Sequence, residues 1–158
     1  MTFIRPYRSD DAPHLSNLYV RSVRTLAGGD YSERQIDAWA KLAPDPARLD
    51  ALALDGRLRL VAEDSRGAPA AFADLEPDGH IHYFYCAPEA AGTGTAGALY
   101  DALETAARER GLRRLYAEAS EGARRFFLKR SFTVLARRAF EISGVAIHNY
   151  AVEKTLAP

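Results

Sequence analysis

The chain has 158 residues, enough for one domain that buries roughly 70% of its unfolded surface, so a single domain over 1–158 is expected. At 47% hydrophobic and 27% charged, its composition is that of a globular protein and excludes disorder. The 21 Lys plus Arg balance the 21 Asp plus Glu, which leaves no basic footprint for nucleic acid or an anionic membrane. One cysteine, Cys86, excludes an intrachain disulfide and a zinc–thiolate cluster. No apolar run is long enough to span a bilayer. The segment "MTFIRPYRSDD" lacks the apolar region of a signal peptide. A cytoplasmic protein is the expectation.

In chain order, "TFIRPY" reads as a first strand. "SDDAPHLSNLYVRSVRTL" reads as a helix capped by Ser9 or Asp10, with Leu15, Leu18, Tyr19, Ser22 and Val23 on one face. "YSERQIDAWAKL" starts a second helix at the cap Ser32. "ARLDALALD" is a third, ending near Gly56. The period then changes to two. "LRLVAED" and "APAAFADLE" form a hairpin, and "IHYFYCA" is a third, aromatic strand. A helix over roughly 95–110 follows, then the strand "LRRLYAEAS" and the short helix "EGARRFFLKRS". A closing pair of strands, "FTVLARRAFEIS" and "VAIHNYAVEKTL", completes the chain. This order predicts an α/β (α+β) fold, a mixed sheet with helices on both faces.

The segment "CAPEAAGTGTAGALYDALE" joins a strand to a long helix. The first turn of a helix has N–H groups without partners and the positive end of the dipole, a ready anion site. Glycines let a phosphate approach the backbone. Gly92, Gly94 and the pair Ala96–Gly97 therefore form a candidate phosphate cradle, with Thr93 and Thr95 as further donors. A P-loop is excluded, because no Lys followed by Ser or Thr comes after the last glycine. "GTGTAG" also fits the G-x-G-x-x-G dinucleotide fingerprint, with Glu118 as the acidic ribose partner. That fingerprint normally opens a fold, whereas here it follows two-thirds of an α+β pattern.

The same segment resembles the acyl-CoA loop of the GNAT superfamily of N-acetyltransferases, V-x-P-x-x-[RQ]-G-x-G-[IV]-[GA]. Cys86, Pro88, Gly92, Gly94, Ala96 and Leu99 fall in step with it. "SEGARRFFLKRSF" is similar to the family's N-x-x-A-x-x-F-Y-x-[KR]-x-G-F, and "DYSERQIDAWA" resembles a segment of an uncharacterised bacterial branch. The resemblance spans the chain and implies a mostly antiparallel central sheet. It departs at four positions. Ala91 stands for the usual Arg or Gln, Ser120 for Asn, Phe127 for the Tyr that often protonates the leaving thiolate, and Ser131 for Gly.

The resemblance implies direct transfer of acetyl from acetyl-CoA, as cosubstrate, to a primary amine of a small molecule or peptide. By analogy, homodimerisation is the assembly to test. It implies cosubstrate contacts from Tyr85, Cys86 and Ala87 at the strand end, from the loop Ala91, Gly92, Thr93, Gly94, Thr95, Ala96 and Gly97, and from Ser120, Phe127 and Lys129. The N–H near Cys86 would receive the oxyanion. A lysine-like amine has a pKa of about 10.4 and must lose a proton before it attacks. His82, four residues before Cys86, is the first candidate base, against the alternative of a hydrogen-bonded strand histidine. Glu118 is the second, against a salt-bridged strand end. Tyr31 is the first candidate acid. Tyr83 and Tyr85 are expected to face away from His82 by strand alternation. Arg124, Arg125, Lys129 and Arg130 are candidates for the 3′-phosphate, against a solvated helix face. A non-catalytic acyl-CoA-binding module is the alternative that Phe127 and Ala91 motivate.

Overall fold

A computed structural model describes residues 2–157. Strands β1 (Phe3–Pro6), β2 (Leu58–Glu63), β3 (Pro69–Leu75) and β4 (Ile81–Cys86) form an antiparallel sheet in that order. A second antiparallel sheet holds β5 (Arg114–Ala119), β6 (Thr133–Ile142) and β7 (Val145–Thr155), with β7 in the middle. Helices α1 (Ala12–Leu26), α2 (Glu33–Ala40) and α3 (Pro46–Leu52) lie between β1 and β2. Helix α4 (Thr95–Glu109) links β4 to β5, and α5 (Glu121–Leu128) links β5 to β6. The element order is the one the periodicity predicts.

Alternation along the strands explains the layers. Val61, Ala70 and Phe72 face Leu15 and Leu18 of α1 and Leu49 of α3. Their neighbours Leu60, Ala62, Ala71 and Ala73 face the other way, onto Leu99 and Leu103 of α4. A strand buried on both faces carries small or apolar residues throughout, as "AAFA" does. Helix α2 is held by its cap: the Ser32 hydroxyl accepts from the Gln35 N–H, and the Gln35 side chain accepts from the Ser32 N–H. Its Ala38 and Trp39 pack on Ile142 and Ile147, which roofs the second sheet. The first helix starts later than its candidate caps suggest. Ser9–Asp11 form one 3₁₀ turn, and α1 begins after Asp11 with Pro13 in its first turn.

The two sheets meet at one parallel bridge, His80 to Tyr116. The Tyr116 N–H donates to the Gly79 carbonyl over 3.1 Å. Only glycine fits at 79: φ is +98°, and a Cβ there would lie 2.1 Å from the Arg114 carbonyl oxygen. Beyond this contact β4 and β5 run on in the same direction without pairing, so the joint sheet is open between them.

Candidate active site

The site follows from that opening. At the end of β4 the register pairs Ala71 with Cys86 and Phe72 with Tyr85, and the Ala87 N–H donates to the Ala70 carbonyl over 2.8 Å. Hydrogen-bonded pairs alternate with non-bonded pairs in an antiparallel ladder. The Ala87 N–H is therefore committed to β3, and the Cys86 N–H points the other way, into the gap before β5. Burial pushes the Cys86 thiol up to about 11, which keeps it a neutral thiol and rules out a resting thiolate nucleophile.

The chain then passes a 3₁₀ turn, Pro88–Ala90, and enters the glycine loop. Gly92 and Gly94 have φ of +75° and +88°, and Gly94 is the N-cap of α4. The first hydrogen bond of α4 runs from the Ala98 N–H to the Gly94 carbonyl. The N–H groups of Gly94, Thr95, Ala96 and Gly97 have no acceptor among the described residues, and no acidic residue lies in that turn. This is an anion cradle made of backbone. The threonines behave differently from the expectation. The Thr93 hydroxyl donates to the Ala90 carbonyl, and the Thr95 hydroxyl is 2.9 Å from that of Thr93. Their hydrogens close the loop on itself and are not offered to a ligand.

One cavity of about 650 Å³ brings together ten of the candidates, while Ala87, Thr93, Gly94, Thr95, Gly97 and Lys129 lie outside its lining. Tyr31, His82, Tyr85, Cys86, Ala91, Gly92, Ala96, Glu118, Ser120 and Phe127 all line it. Trp39 and Ile147 contribute its apolar roof.

The "Acetyltransferase (GNAT) domain" family matches residues 28–154. The chain belongs to the GNAT acetyltransferase family. It is 38% identical to a GCN5-related N-acetyltransferase from Rhodopseudomonas palustris, over 99% of this chain and 96% of that one, with a TM-score of 0.88. PaiA N-acetyltransferase from Thermoplasma acidophilum, solved with coenzyme A, shares the fold at 19% identity over 99% of both chains, with a TM-score of 0.76. So does a phosphinothricin acetyltransferase from Sinorhizobium meliloti solved with acetyl-CoA, at 20% identity over 98% of this chain and 88% of that one, with a TM-score of 0.72. No protein of curated function matches the sequence.

Within this GNAT domain, the two candidate bases sit in different electrostatic settings. Glu118 accepts from His80 Nε2 over 2.7 Å, and His80 Nδ1 lies 2.6 Å from Glu76. The bond to Glu118, helped by Glu76, raises His80 to about 9, so it is an imidazolium at neutral pH. The same bond holds the Glu118 carboxyl below its ordinary range. Glu118 is thus a braced carboxylate facing the cavity.

His82 is a different case. Its Nδ1 lies 2.8 Å from Arg57 Nη1. A guanidinium can only donate, so the neutral ring carries its hydrogen on Nε2. Burial, and after it the Arg57 charge, lowers the His82 pKa. The ring turns a donor, not a lone pair, toward the remaining space. It also stacks on Tyr83, with ring centroids 4.1 Å apart. This corrects the expectation that Tyr83 and His82 face apart. The β3–β4 register slips between Ala73 and Leu75, and such an irregularity locally breaks alternation. Tyr83 and Tyr85 both turn to the α1 side, against Tyr19 and Phe72, so it is the His82 ring that departs from alternation.

Tyr31 is a brace. Its hydroxyl donates to the His148 carbonyl over 3.0 Å and accepts from the Glu121 N–H over 3.1 Å. Burial raises its pKa. Ser120 caps α5, its hydroxyl accepting from the Ala123 N–H, and keeps its own hydrogen free for the cavity. Phe127 is buried in an aromatic cluster with Phe84, Tyr100 and Phe132. Lys129 is the exposed C-cap of α5. Ser131 has φ +71°, which accounts for the glycine usual there.

Sequence reasoning missed His80 and Arg57. The available signal for His80 was the H-x-H spacing of His80 and His82, which sets two imidazoles near one strand end. Their rings are 5.8 Å apart. Among the described residues no helix is long and apolar enough to cross a membrane, and no acidic, His or Cys cluster could hold a metal.

The His80 brace has a pH signature. A folded-state pKa raised from 6.5 to about 9 stabilises fully below pH 6.5 and is lost as pH rises through 9. The protein should therefore unfold at a higher urea midpoint than a His80→Gln variant at about pH 6, and the two midpoints should converge by about pH 10. A gap that stays constant across that range would refute an ionic brace.

Proposed function

We propose that the protein is an acetyl-CoA-dependent N-acetyltransferase that moves an acetyl group onto a primary amine of a small molecule or peptide, by direct attack within a ternary complex. The observation that carries this reading is one cavity lined by Cys86, whose N–H points into the gap between β4 and β5, by the braced carboxylate Glu118, and by Gly92 and Ala96 at the edge of the backbone anion cradle that opens α4. Membership of the family and the ligands named for PaiA and the phosphinothricin acetyltransferase support it.

On this reading Tyr85, Cys86 and Ala87 flank the pantetheine arm, and the Gly92–Gly97 backbone holds the diphosphate. The Ser120 hydroxyl, the Phe127 ring and Lys129 complete the cosubstrate contacts. Glu118 takes the ammonium proton, directly or through one water. The amine nitrogen then bonds to the thioester carbonyl carbon. The oxyanion so formed is met by the Cys86 N–H. Collapse breaks the C–S bond, the nitrogen gives its remaining extra proton to water at the cavity mouth, and that water passes a proton to the departing thiolate, since Phe127 has no hydroxyl. His82 Nε2–H orients the acceptor or its water, and Tyr31 holds the roof on α5.

The test has two stages. Acetyl-CoA or CoA at about one hundred times its dissociation constant should raise stability by about 2.7 kcal/mol, or the melting temperature by roughly 5–10 °C, and NAD should not. Thiol release with an amine panel should follow. Binding without release across that panel would instead support the non-catalytic module, which the buried, hydroxyl-free Phe127 favours. A shift with NAD alone would defeat both.

A further inference from the structure

We infer that Arg130, seated against the first turn of α4, supplies the cation for the cosubstrate diphosphate that the glycine loop lacks. The inference rests on the proposed acetyl-CoA reading. The loop has no basic side chain between Ala91 and Ala98, and Ala91 ends in an exposed methyl group. Two negative charges would otherwise be met by backbone N–H groups alone. The α5 region carries four basic residues, and their partners separate them. Arg124 pairs with Glu121 and lies 4.7 Å over the Tyr150 ring. Arg125 is held by both oxygens of Asp30. The half-buried Arg130 has no hydrogen bond or ion pair among the described residues. Its guanidinium lies 3.9 Å over the Phe126 ring and 5.5 Å from the Tyr100 centroid.

Its seat is the first turn of α4. A Cβ built on Gly97 would come within 2.6 Å of Arg130 Nη2. Gly97 has no positive φ to require glycine, and glycine inside a helix costs about 1 kcal/mol relative to alanine. The space it leaves is the space the guanidinium fills. A cation at a helix N-terminus is unfavourable, because the dipole there is already positive. An aromatic shelf holds an unpaired arginine against a turn whose N–H groups are also unpaired, and both become favourable when one anion lies between them. The diphosphate of CoA is the anion that the proposed function brings there. The 3′-phosphate is left to the exposed Lys129 or to solvent.

Calorimetric titration of the full chain with CoA and with dephospho-CoA, which keeps the diphosphate and lacks the 3′-phosphate, tests this. Arg130→Gln should weaken both ligands equally, by about 10- to 100-fold. Lys129→Gln should leave dephospho-CoA unchanged. Gly97→Ala should raise the melting temperature through helix propensity and weaken both ligands, because its methyl displaces the guanidinium. In the Arg130→Gln background it should cause no further loss. An Arg130→Gln effect confined to CoA would move the contact to the 3′-phosphate and overturn the inference, as would unchanged binding of both ligands. A full additional loss from Gly97→Ala in the double variant would mean that the methyl blocks the ligand itself, and would overturn the assignment of Gly97. If the unaltered protein binds neither ligand, the proposed function fails; if it binds both and the variants bind as well, only this inference fails.

Discussion

Glu118→Gln is expected to lower turnover by about 10²- to 10⁴-fold while the dissociation constant for CoA changes little. The substitution keeps the shape and removes the charge. A glutamine carbonyl can still accept from His80, so β5 stays in place, but it cannot take a proton. The effect should appear in kcat more than in the CoA dissociation constant, since on the proposed reading Glu118 of β5 meets the acceptor amine while the loop after β4 holds the cosubstrate. His82→Gln should cost much less. Its Nδ1 already accepts from Arg57, and a glutamine can offer a donor in place of Nε2–H. The pH profile separates the two residues further. A base held below 4.5 by His80 gives no inflection near 6.5, where an unperturbed histidine would, and leaves the alkaline limb to His80, at about 9, and to the amine. Equal turnover for Glu118→Gln and the unaltered protein would remove Glu118 from the chemistry. A His82→Gln loss larger than that of Glu118→Gln would return the base to His82.

These two residues mark where the sequence is legible and where it stops. Periodicity is a local property, so "AAFADL" and "IHYFYC" read as strands and Thr95–Glu109 as a helix without a structure. The glycine loop is legible for the same reason: Pro88 ends a strand, Gly92 and Gly94 need positive φ, and an amphipathic helix follows within one short segment. The caps at Ser32 and Ser120 are local too. The opening between β4 and β5 is not, because it is an absence of pairing. It depends on Gly79 fitting against the Arg114 carbonyl, a contact between segments 35 positions apart. The setting of His82 depends on the register slip between Ala73 and Leu75, and a one-residue irregularity leaves no mark in the alternation of hydrophobic and polar residues. Charged residues are the least legible. Arg124, Arg125, Lys129 and Arg130 look alike in sequence and differ only in which carboxylates the fold brings within reach. Glu118 looks like an ordinary strand end until His80 and Glu76 are seen beside it.

The largest stability effect is expected at Asp74. Its carboxylate is fully buried and accepts from Arg59 Nε at 2.7 Å, Arg59 Nη2 at 2.8 Å and Arg57 Nη1 at 2.9 Å. The β2–β3 register sets Arg59 directly opposite Asp74, which makes the fork-to-carboxylate geometry possible. The Arg59 side chain is 1% exposed and that of Arg57 3%. Asp74→Asn removes the charge both guanidinium groups face and turns an amide donor toward one of them. Breaking a buried pair from one side costs about 3–5 kcal/mol, or roughly 6–20 °C in melting temperature for a chain of this size. Arg57 keeps Asp55 and Glu76 within reach, so the greater part of the cost falls on Arg59. It follows that removing Arg59 together with its partner, as Arg59→Met with Asp74→Leu, should cost less than Asp74→Asn alone, since no unpaired Arg59 charge remains in the core. Urea unfolding of the three proteins decides this. A loss below about 1 kcal/mol for Asp74→Asn would mean that water reaches the arginines. The network also ends at the active site, because Arg57 is the group that sets the His82 tautomer. Asp74→Asn should therefore change KM for the acceptor in whatever fraction stays folded, while Glu118→Gln changes kcat and gives up only the His80 brace.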